Sequence, residues 1–202
     1  RGLGDVYKRQ VYIYSGAFLG ILSLPIIWLN LYEYQKQRVL TLFNPEADIY
    51  GAGWNIVQSK IAVGSGGLFG KGFLNGSQSQ LNFIPESHSD FIFSVIAEEF
   101  GLVGVCMLLF VYGILIFRLL LVAFRSTNRF AKIVSGTLSI VLLAYISINI
   151  SMVIGILPVV GMPLPFLSQG GTALIVNLLT IGIILSCLLY TSDAAAKQDV
   201  GV

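Results

Sequence analysis

Four carboxylates lie in one short stretch, FIPESHSDFIFSVIAEEFG (83–101), where the sequence changes from polar to apolar. Glu86 precedes Asp90 by one helical turn, and Glu98 and Glu99 follow inside the apolar run. A carboxylate held at the start of an apolar helix could act as a general base in a proton transfer. Asp90 and the serines before it could equally cap the free backbone amides of that helix. Both interpretations of Asp90, base and helix cap, follow from its residue type and position.

Glu98 and Glu99 need an explanation of their own, because a helix places them about 12–14 Å beyond Asp90. They would lie in an aqueous cavity if the hydrocarbon began only at Phe100, and within the membrane otherwise. In either position they must face protein or water. A structural ion pair with a helix outside this chain and a direct part in chemistry are both consistent with the sequence.

Three basic residues, Arg38, Lys60 and Lys71, fall in the polar part of the chain that precedes these acids. Taken singly, each is most simply a solvated surface charge. If the fold brings them next to Asp90, they could bind the diphosphate of a lipid-linked substrate, since charge-assisted hydrogen bonds to phosphate are strong. No basic block stands out elsewhere and the net charge is only +2, which argues against nucleic acid as a partner.

The elements that must position these residues are mostly transmembrane helices. The chain is 55% hydrophobic and 11% charged, with a mean hydropathy of +0.83. A soluble domain carries about a quarter charged residues. Four apolar runs reach the length of about 20 residues that a helix needs to cross a bilayer. We therefore predict an all-α, polytopic transmembrane protein with spans at 11–31, 91–117, 133–157 and 172–190.

The segment 118–132, between the second and third predicted spans, carries four basic residues and no acid. The positive-inside rule predicts that it is a cytoplasmic loop. The large loop 32–90 and the loop 158–171, called here the Pro/Gly loop, then share the outer, periplasmic face. Both loops are expected to be structured. Residues 54–63 have the apolar spacing of a short interfacial helix, and the prolines and glycines of the Pro/Gly loop suit a rigid non-helical path.

The glycine-rich stretch GSGGLFGKG (64–72) does not fit a nucleotide-binding loop. A Walker A loop needs glycine and then serine or threonine where Ser65 and Gly72 stand, and a Rossmann fingerprint needs glycine where Phe69 stands. Two interpretations remain. The stretch is a tight turn, which the residues favour, or it presents backbone amides to an anionic ligand.

Three isolated polar residues have simple structural interpretations. His88 lies two residues from Asp90 and is more simply a surface histidine than a ligand or an acid. Asn149 and Asn177 lie inside the third and fourth predicted spans. Polar side chains in such places commonly make hydrogen bonds between helices, and we expect both asparagines to do so.

Two long segments carry a family resemblance. FNPEADIYGAGWNIVQSKIAVGSGGLFGKGFLNGSQSQLNFIPESHSDFIFSVIAEEFGLVG (43–104) resembles the large periplasmic loop of the SEDS family (shape, elongation, division and sporulation), closest to its cell-elongation branch. ILPVVGMPLPFLSQGGTALIVNLL (156–179) is similar to the second signature loop and final helix of that family. The resemblance covers roughly residues 11–187. It implies that the four spans here correspond to the last four of ten, so we expect the isolated chain to be inactive.

The resemblance implies a peptidoglycan glycosyltransferase that polymerises lipid II during cell elongation, at the periplasmic face of the bacterial inner membrane. The family motif places the essential carboxylate on Asp90. A divalent cation, Mg²⁺ or Mn²⁺, could assist, with no metal ligands assigned. Further candidates for the site are Glu98, Glu99 and Arg38. The matching positions that we expect to line the substrate site are Glu86, Gln58, Ser59, Lys60, Lys71, Gly64, Gly66, Gly67, Pro165, Ser168, Gly170 and Gly171.

The implied partners are lipid II, a class B penicillin-binding protein and other membrane proteins of the elongation complex. Two alternative functions stay open, a flippase for the lipid-linked precursor and a non-catalytic scaffold for a transpeptidase. A flippase needs a polar path through the bilayer, whereas the stretch 102–117 carries no charge, which favours the enzyme.

The chain departs from the family pattern in two places. The second signature loop usually reads SYGGS, but here Gln169 stands in place of the tyrosine, so an aromatic contact at this position is not expected. The ends, residues 1–10 and 191–202, match nothing in the family and join apolar runs abruptly. We expect both ends to be non-native flanks and exclude them from the functional argument.

Overall fold

The computed structural model describes residues 3–45, 51–80, 88–126 and 128–199, and in these ranges it is helical without any strand. Four helices are long and apolar enough to cross a membrane, at Gln10–Asn30, Ile92–Arg125, Arg129–Ile154 and Gly171–Leu188. The predicted all-α, multi-pass membrane fold is confirmed. The helices are α1 (Leu3–Asn30), α2 (Glu33–Phe43), α3 (Ala52–Ser65), α4 (Ser77–Gln80), α5 (Ile92–Arg125), α6 (Arg129–Ile154) and α7 (Gly171–Asp199).

The connection between α5 and α6 is shorter than the 118–132 loop that the sequence predicts. Helix α5 continues to Arg125, and α6 begins at Arg129, where the Asn128 side chain accepts a hydrogen bond from the Phe130 backbone N–H at 2.9 Å. Both helices extend into this segment because apolar, helix-forming residues separate its basic residues. Such basic side chains can extend to a polar boundary while their helix continues.

The other helix ends also differ from the predicted spans. Helix α6 ends at Ile154, because Gly155 adopts a left-handed conformation (φ 78°) that closes it. Helix α1 begins before its predicted span and α7 ends after its own, so the two helices run through residues 10 and 191, the inner limits of the two expected flanks. Pro25 lies inside α1 without ending it.

The core lies between α5, α6 and α7, and α3 packs against α5 and α6 at one end of this bundle. Ser135 and Ser139 are fully buried on α6, and their hydroxyls donate to backbone carbonyls of the same helix. Because these side chains are small, α5 and α6 can approach closely. Among the described residues of the α1 span none is buried. Large buried side chains come from α3, α5, α6, α7 and the Pro/Gly loop: Ile56, Phe91, Phe93, Leu142, Met152, Val153, Leu164 and Ile184.

Helix α5 is broken at Gly101, whose backbone angles (φ 65°, ψ −161°) are accessible essentially to glycine alone. The break leaves backbone groups on both sides without intrahelical partners, and buried backbone groups must be paired. The glycine-rich stretch supplies those partners. Four backbone hydrogen bonds join the two segments: Lys71 N–H to Glu98 O (3.0 Å), Gly72 N–H to Glu99 O (3.0 Å), Leu102 N–H to Gly67 O (2.9 Å) and Val103 N–H to Leu68 O (3.1 Å).

Glycines make this backbone contact sterically possible. A Cβ atom at Gly66 would clash with the carbonyl oxygen of Ala97, and one at Gly70 would clash with that of Glu99. The Gly70 N–H donates to Gly66 O at 2.8 Å, so the amides of Gly70, Lys71 and Gly72 are all used within the protein. The glycine-rich stretch is therefore a turn docked on the break in α5, and we call this unit, residues 66–72 with 97–103, the anchor region.

Candidate active site

Asp90 lies in the turn 88–91 immediately before α5 and is partly exposed. The next residue, Phe91, is buried at 1% exposure and occupies the N-cap position of α5, where its side chain makes no capping bond. The N-cap position of this helix is therefore Phe91, one residue after Asp90. The buried phenylalanine fixes the turn against the core, and the carboxylate of Asp90 is left at the end of the bundle that carries the loops, which we call the loop end.

The Pro/Gly loop packs directly against this turn. The backbone N–H of Gln169 donates to the carbonyl of His88 at 2.9 Å. At Gly161, which has φ +77°, an added Cβ atom would lie 3.3 Å from Oδ2 of Asp90. The fold thus brings the predicted catalytic acid and the second signature loop together, although they are far apart in sequence.

Several bonds hold the Pro/Gly loop in place. The Tyr112 hydroxyl, buried in α5, donates to Pro165 O at 2.6 Å, and the Leu164 N–H donates to Ser168 Oγ at 2.6 Å. Arg38 of α2 donates to the carbonyl oxygens of Val159 and Val160 at 3.2 and 3.4 Å. The loop is therefore tied to α5, to itself and to α2, as expected for a rigid structure.

Asn149 of α6 joins the same two segments from below. Its side-chain Nδ2 donates to Asp90 O at 2.9 Å and to Met162 O at 2.6 Å. We expected a hydrogen bond between helices. The acceptors are instead backbone carbonyls of the turn and of the Pro/Gly loop, because α6 ends just below both segments and its last turns face them.

Glu98 is fully buried and forms an ion pair inside this chain. Its carboxylate accepts from Lys71 Nζ at 2.7 Å, from the Ser77 N–H at 2.9 Å, from Ser77 Oγ at 3.0 Å and from the Gln78 N–H at 3.2 Å. Of the two alternatives for this acid, the structural ion pair is found, with Lys71 of the docked turn as the partner in place of a helix outside the chain. The two charges neutralise each other, and Glu98 belongs to the anchor region.

The predicted site residues of α3 separate into buried and exposed groups. Ser59 is fully buried, with Oγ 2.9 Å from the carbonyl oxygens of Ile56 and Val153, and Gln58 is buried as well. Lys60 is exposed, and its aliphatic stem passes so close to Gly155 that a Cβ atom there would clash with it. Helix α3 thus presents the ammonium group of Lys60 at the surface, while its neighbours connect α3 to α6.

The remaining predicted positions are placed as follows. Glu86 lies outside the described residues. Gly66, Gly67 and Lys71 belong to the anchor region, Glu99 is buried beside it at 6% exposure, and a Cβ atom at Gly64 on α3 would meet no neighbour. Those in or next to the Pro/Gly loop are Pro165, Ser168, Gly170 and Gly171, the last being the first residue of α7.

Sequence reasoning missed Gly161 and Tyr112, which the structure places against the site. Gly161 carries a signal in retrospect, because a glycine between apolar residues of a Pro/Gly-rich loop marks a backbone that needs φ > 0 or a close approach. Tyr112 carries none, because a tyrosine in an apolar span is ordinary and its acceptor is known only from the fold.

The described residues do not by themselves form a divalent-cation site. No group of three His, Cys, Asp or Glu side chains comes together among them. Glu98 is already engaged by Lys71, and Asp90 is the described carboxylate next to the Pro/Gly loop. A Mg²⁺ or Mn²⁺ ion generally requires several oxygen ligands, more than these described residues bring together.

Two grooves open between the spans beneath the Pro/Gly loop. One, of about 440 Å³, lies between α6 and α7 and is bordered at the loop by Pro163. The other, of about 470 Å³, lies between α5 and α7 beneath Phe166 and Leu167 and is lined mostly by apolar side chains. Both grooves are of a size and character that suit a hydrocarbon chain.

Comparison with known proteins decides the family. The FtsW/RodA/SpoVE family of cell cycle proteins matches residues 8–193. The chain belongs to this family. The resemblance predicted from the sequence is thereby confirmed.

Similar proteins carry consistent names. The chain is 55% identical over 164 residues to the peptidoglycan glycosyltransferase MrdB of Escherichia coli, covering 81% of this chain and 44% of MrdB. It is 37% identical over 182 residues to the peptidoglycan glycosyltransferase RodA of Treponema pallidum, covering 86% of this chain and 38% of that protein. The chain thus spans less than half the length of these relatives.

Solved structures agree on the fold. A chain from a study of the coordination of polymerisation and crosslinking by a peptidoglycan synthase complex matches with a TM-score of 0.72 and 30% identity, over 89% of this chain and 49% of that one. A crystal structure of an aspartate-to-alanine mutant of the Thermus thermophilus rod shape determining protein RodA matches with a TM-score of 0.51 and 26% identity, over 89% and 58%.

Proposed function

We propose that the complete protein is a peptidoglycan glycosyltransferase that polymerises lipid II during cell elongation, and that this chain supplies the catalytic acid–base group. One observation carries the proposal: the carboxylate of Asp90 lies at the loop end of a membrane-spanning helix, against Gly161 of the Pro/Gly loop. The names of the similar proteins from E. coli and T. pallidum support the same activity.

In the proposed reaction Asp90 is the general base. The hydroxyl of the acceptor sugar attacks the anomeric carbon of the lipid-linked donor, and Asp90 accepts the hydroxyl proton. The new glycosidic bond forms as the bond from the anomeric carbon to the diphosphate oxygen breaks, and that oxygen leaves with the electron pair. The position of Asp90 suits such a substrate, because its sugars lie at the membrane surface while its lipid lies in the bilayer.

Cations near the site would stabilise the leaving diphosphate. We assign this role to Lys60, whose exposed ammonium group has no acidic partner among the described residues. Arg38 of α2 is a second candidate, because its side chain contacts the Pro/Gly loop and uses only Nη1 for the hydrogen bonds to the carbonyls there. Lys71 is removed from this role, since it is already paired with the buried carboxylate of Glu98.

The grooves beneath the Pro/Gly loop support a lipid-linked substrate. A long hydrocarbon chain entering from the bilayer could lie between α5 and α7, or between α6 and α7, with its diphosphate near the loop end. Burial of apolar surface contributes about 25 cal/mol per Å², so even a partly buried chain would add usefully to binding.

We propose that the loop end faces the periplasm and that the protein resides in the bacterial inner membrane. The four basic residues around the α5–α6 connection lie at the opposite end of the bundle, and the positive-inside rule places that end in the cytoplasm. A class B penicillin-binding protein and other elongation-complex proteins are the proposed partners. The likeness to a chain of a peptidoglycan synthase complex supports this assignment.

Three acids, Glu98, Glu99 and Asp90, distinguish the flippase and scaffold alternatives from the polymerase. A flippase would use acids within the span, but Glu98 is fully buried in an ion pair, and residues 102–117 of α5 carry no charge. A scaffold would tolerate loss of Asp90. A polymerase, in contrast, needs the Asp90 carboxylate itself.

The test uses a full-length chimera in which this chain replaces the matching part of E. coli MrdB, purified with the transpeptidase partner of the host protein. Lipid II polymerisation is compared for wild type, Asp90→Asn and the control Glu33→Gln, which makes the same chemical change at an exposed acid of α2. Loss of a general base lowers turnover by about 10²–10⁴-fold.

We expect that loss for Asp90→Asn alone, with unfolding temperature unchanged. Turnover of Asp90→Asn at the wild-type rate would refute the assignment of the base. Chelation followed by addition of Mg²⁺ or Mn²⁺, with the same turnover assay, tests whether the complete protein needs a divalent cation.

A further inference from the structure

Asn149 is fully buried in α6, a helix whose sequence is otherwise strongly apolar. Neither of its two hydrogen bonds lies within its own helix. One N–H of its carboxamide reaches the carbonyl of Asp90 at 2.9 Å, and the other reaches the carbonyl of Met162 at 2.6 Å. A single side chain therefore connects the turn before α5 to the Pro/Gly loop.

The oxygen of the same carboxamide is not used. Oδ1 of Asn149 is buried and has no hydrogen-bond partner among the residues that the structure describes. An unpaired buried acceptor costs free energy that an apolar side chain of similar shape would not. The asparagine therefore carries a cost in stability at Oδ1, and its two N–H donors are the feature that an apolar residue could not replace.

Both acceptors lie next to groups of the candidate site. The first carbonyl belongs to Asp90 itself, so the bond restricts the backbone from which the carboxylate projects. The second belongs to Met162, the neighbour of Gly161, where an added Cβ atom would lie 3.3 Å from Oδ2 of Asp90. Asn149 thus fixes the acid and the adjacent wall of the loop relative to each other.

We propose that Asn149 is a positioning residue for the reaction, which keeps the Asp90 carboxylate in register with the Pro/Gly loop without touching the substrate. The inference rests on the proposed function of Asp90. Its physical basis is that a displacement of about 1 Å at a reacting group can lower turnover about 100-fold. An ordinary structural asparagine would affect stability and leave turnover of the folded protein unchanged.

The variant that tests the proposal is Asn149→Leu in the full-length chimera. Leucine is close to asparagine in shape, removes both donors and also removes the unpaired oxygen. The matched control is Asn30→Leu, the same change on α1, where the asparagine is exposed and donates to Ile26 O of its own helix. Two properties are measured for each variant, backbone hydrogen exchange by mass spectrometry and steady-state lipid II polymerisation.

We expect Asn149→Leu to speed exchange in both segments 88–94 and 160–164, and Asn30→Leu to leave both unchanged. We further expect kcat to fall at least about tenfold with KM for lipid II changed less than about threefold, since only the reacting geometry is disturbed. The unfolding temperature should fall only modestly, because two carbonyls lose their donor while the unpaired oxygen is removed as well.

Three results would overturn the proposal: unchanged exchange in either segment, unchanged kcat despite faster exchange, or an equal loss of kcat in Asn30→Leu. Failure of the proposed function looks different. A wild-type chimera that polymerises no lipid II, or an Asp90→Asn variant that retains full activity, would refute that function. The exchange data would still decide whether Asn149 holds the two segments together.

Discussion

Asp90 and Glu98 lie about two helical turns apart in sequence, yet their surroundings are opposite in kind. Glu98 is fully buried, and its carboxylate is held by Lys71, Ser77 and Gln78. Asp90 is partly exposed at the loop end, with Gly161 against its Oδ2. A carboxylate saturated by protein donors supports the fold, whereas one at an open, glycine-lined surface can meet a substrate.

The glycines around the two acids differ in the same way. In the anchor region, Gly66, Gly70 and Gly101 let two backbones meet, and the broken helix is closed by the docked turn. Next to Asp90, Gly161 faces a side chain rather than a backbone. The first group maintains structure and the second leaves room at the site, so substitutions should affect stability in one region and turnover in the other.

The largest effect is expected for Gly101→Ala in the anchor region. The backbone conformation at this position is nearly forbidden to alanine, and its Cβ atom would clash with the backbone N of Gly70 and the carbonyl of Leu68. Strain and overpacking together should lower the free energy of unfolding by about 4 kcal/mol. Denaturation of the chimera in mixed micelles measures it, with Gly113→Ala on the same helix as the control, since a Cβ there meets no neighbour.

A loss in Gly101→Ala no larger than in Gly113→Ala would show that the break in α5 is not fixed by the docked turn. The anchor region would then not be a rigid unit, and its contrast with the surroundings of Asp90 would fail.

Glu98→Ala is the second test of the anchor region. Removing the acid leaves Lys71, the Ser77 hydroxyl and the Ser77 and Gln78 amides without their acceptor. Loss of an acceptor of four hydrogen bonds, at about 0.5–1.5 kcal/mol each, should cost about 3 kcal/mol, which should appear in the same denaturation measurement. The control is Glu33→Ala, whose carboxylate is 83% exposed in its pair with Lys36. A stable Glu98→Ala variant without turnover would mean that this acid serves chemistry after all.

The transmembrane helices were predictable because the length of an apolar run is a local property of the sequence. Their exact ends were not, as α5 continues through basic residues to Arg125. The role of Glu98 was also out of reach, because its partner Lys71 is brought close only by the break at Gly101. A glycine in an apolar helix signals such a break weakly, since most glycines there are tolerated without one.

In the candidate site, too, the local features were predictable and the long-range contacts were not. Asp90 was identified by its motif, which is a local pattern, and the Pro/Gly loop by its composition. The bonds between them were not predictable, because they join residues such as Gln169 and His88, and Asn149 and Met162, through backbone carbonyls. Carbonyl acceptors carry no residue type, so a sequence gives no signal for them.

Gly161→Ala tests the other side of the comparison. Alanine at this position would have to adopt φ +77°, and its methyl group would lie 3.3 Å from Oδ2 of Asp90. Either the loop or the acid must therefore shift by a few tenths of an ångström. We expect turnover of lipid II to fall about tenfold, since reaction rates depend steeply on the placement of the base. Gly182→Ala on α7, where a Cβ meets no neighbour, is the control. Equal turnover in the two variants would separate the loop from the chemistry.

The smallest effect is expected for Lys71→Met, which separates the two roles that the sequence allowed for this lysine. Its ammonium group is 31% exposed and lies 2.7 Å from Glu98, whose other donors remain in the variant. Loss of one charge-assisted hydrogen bond, partly screened by solvent, should lower the free energy of unfolding by about 1 kcal/mol. The surface pair variant Lys36→Met should show a smaller change. A rise of KM for lipid II in Lys71→Met without any loss of stability would instead return Lys71 to the substrate site, and Glu98 would then be the acid that holds it there.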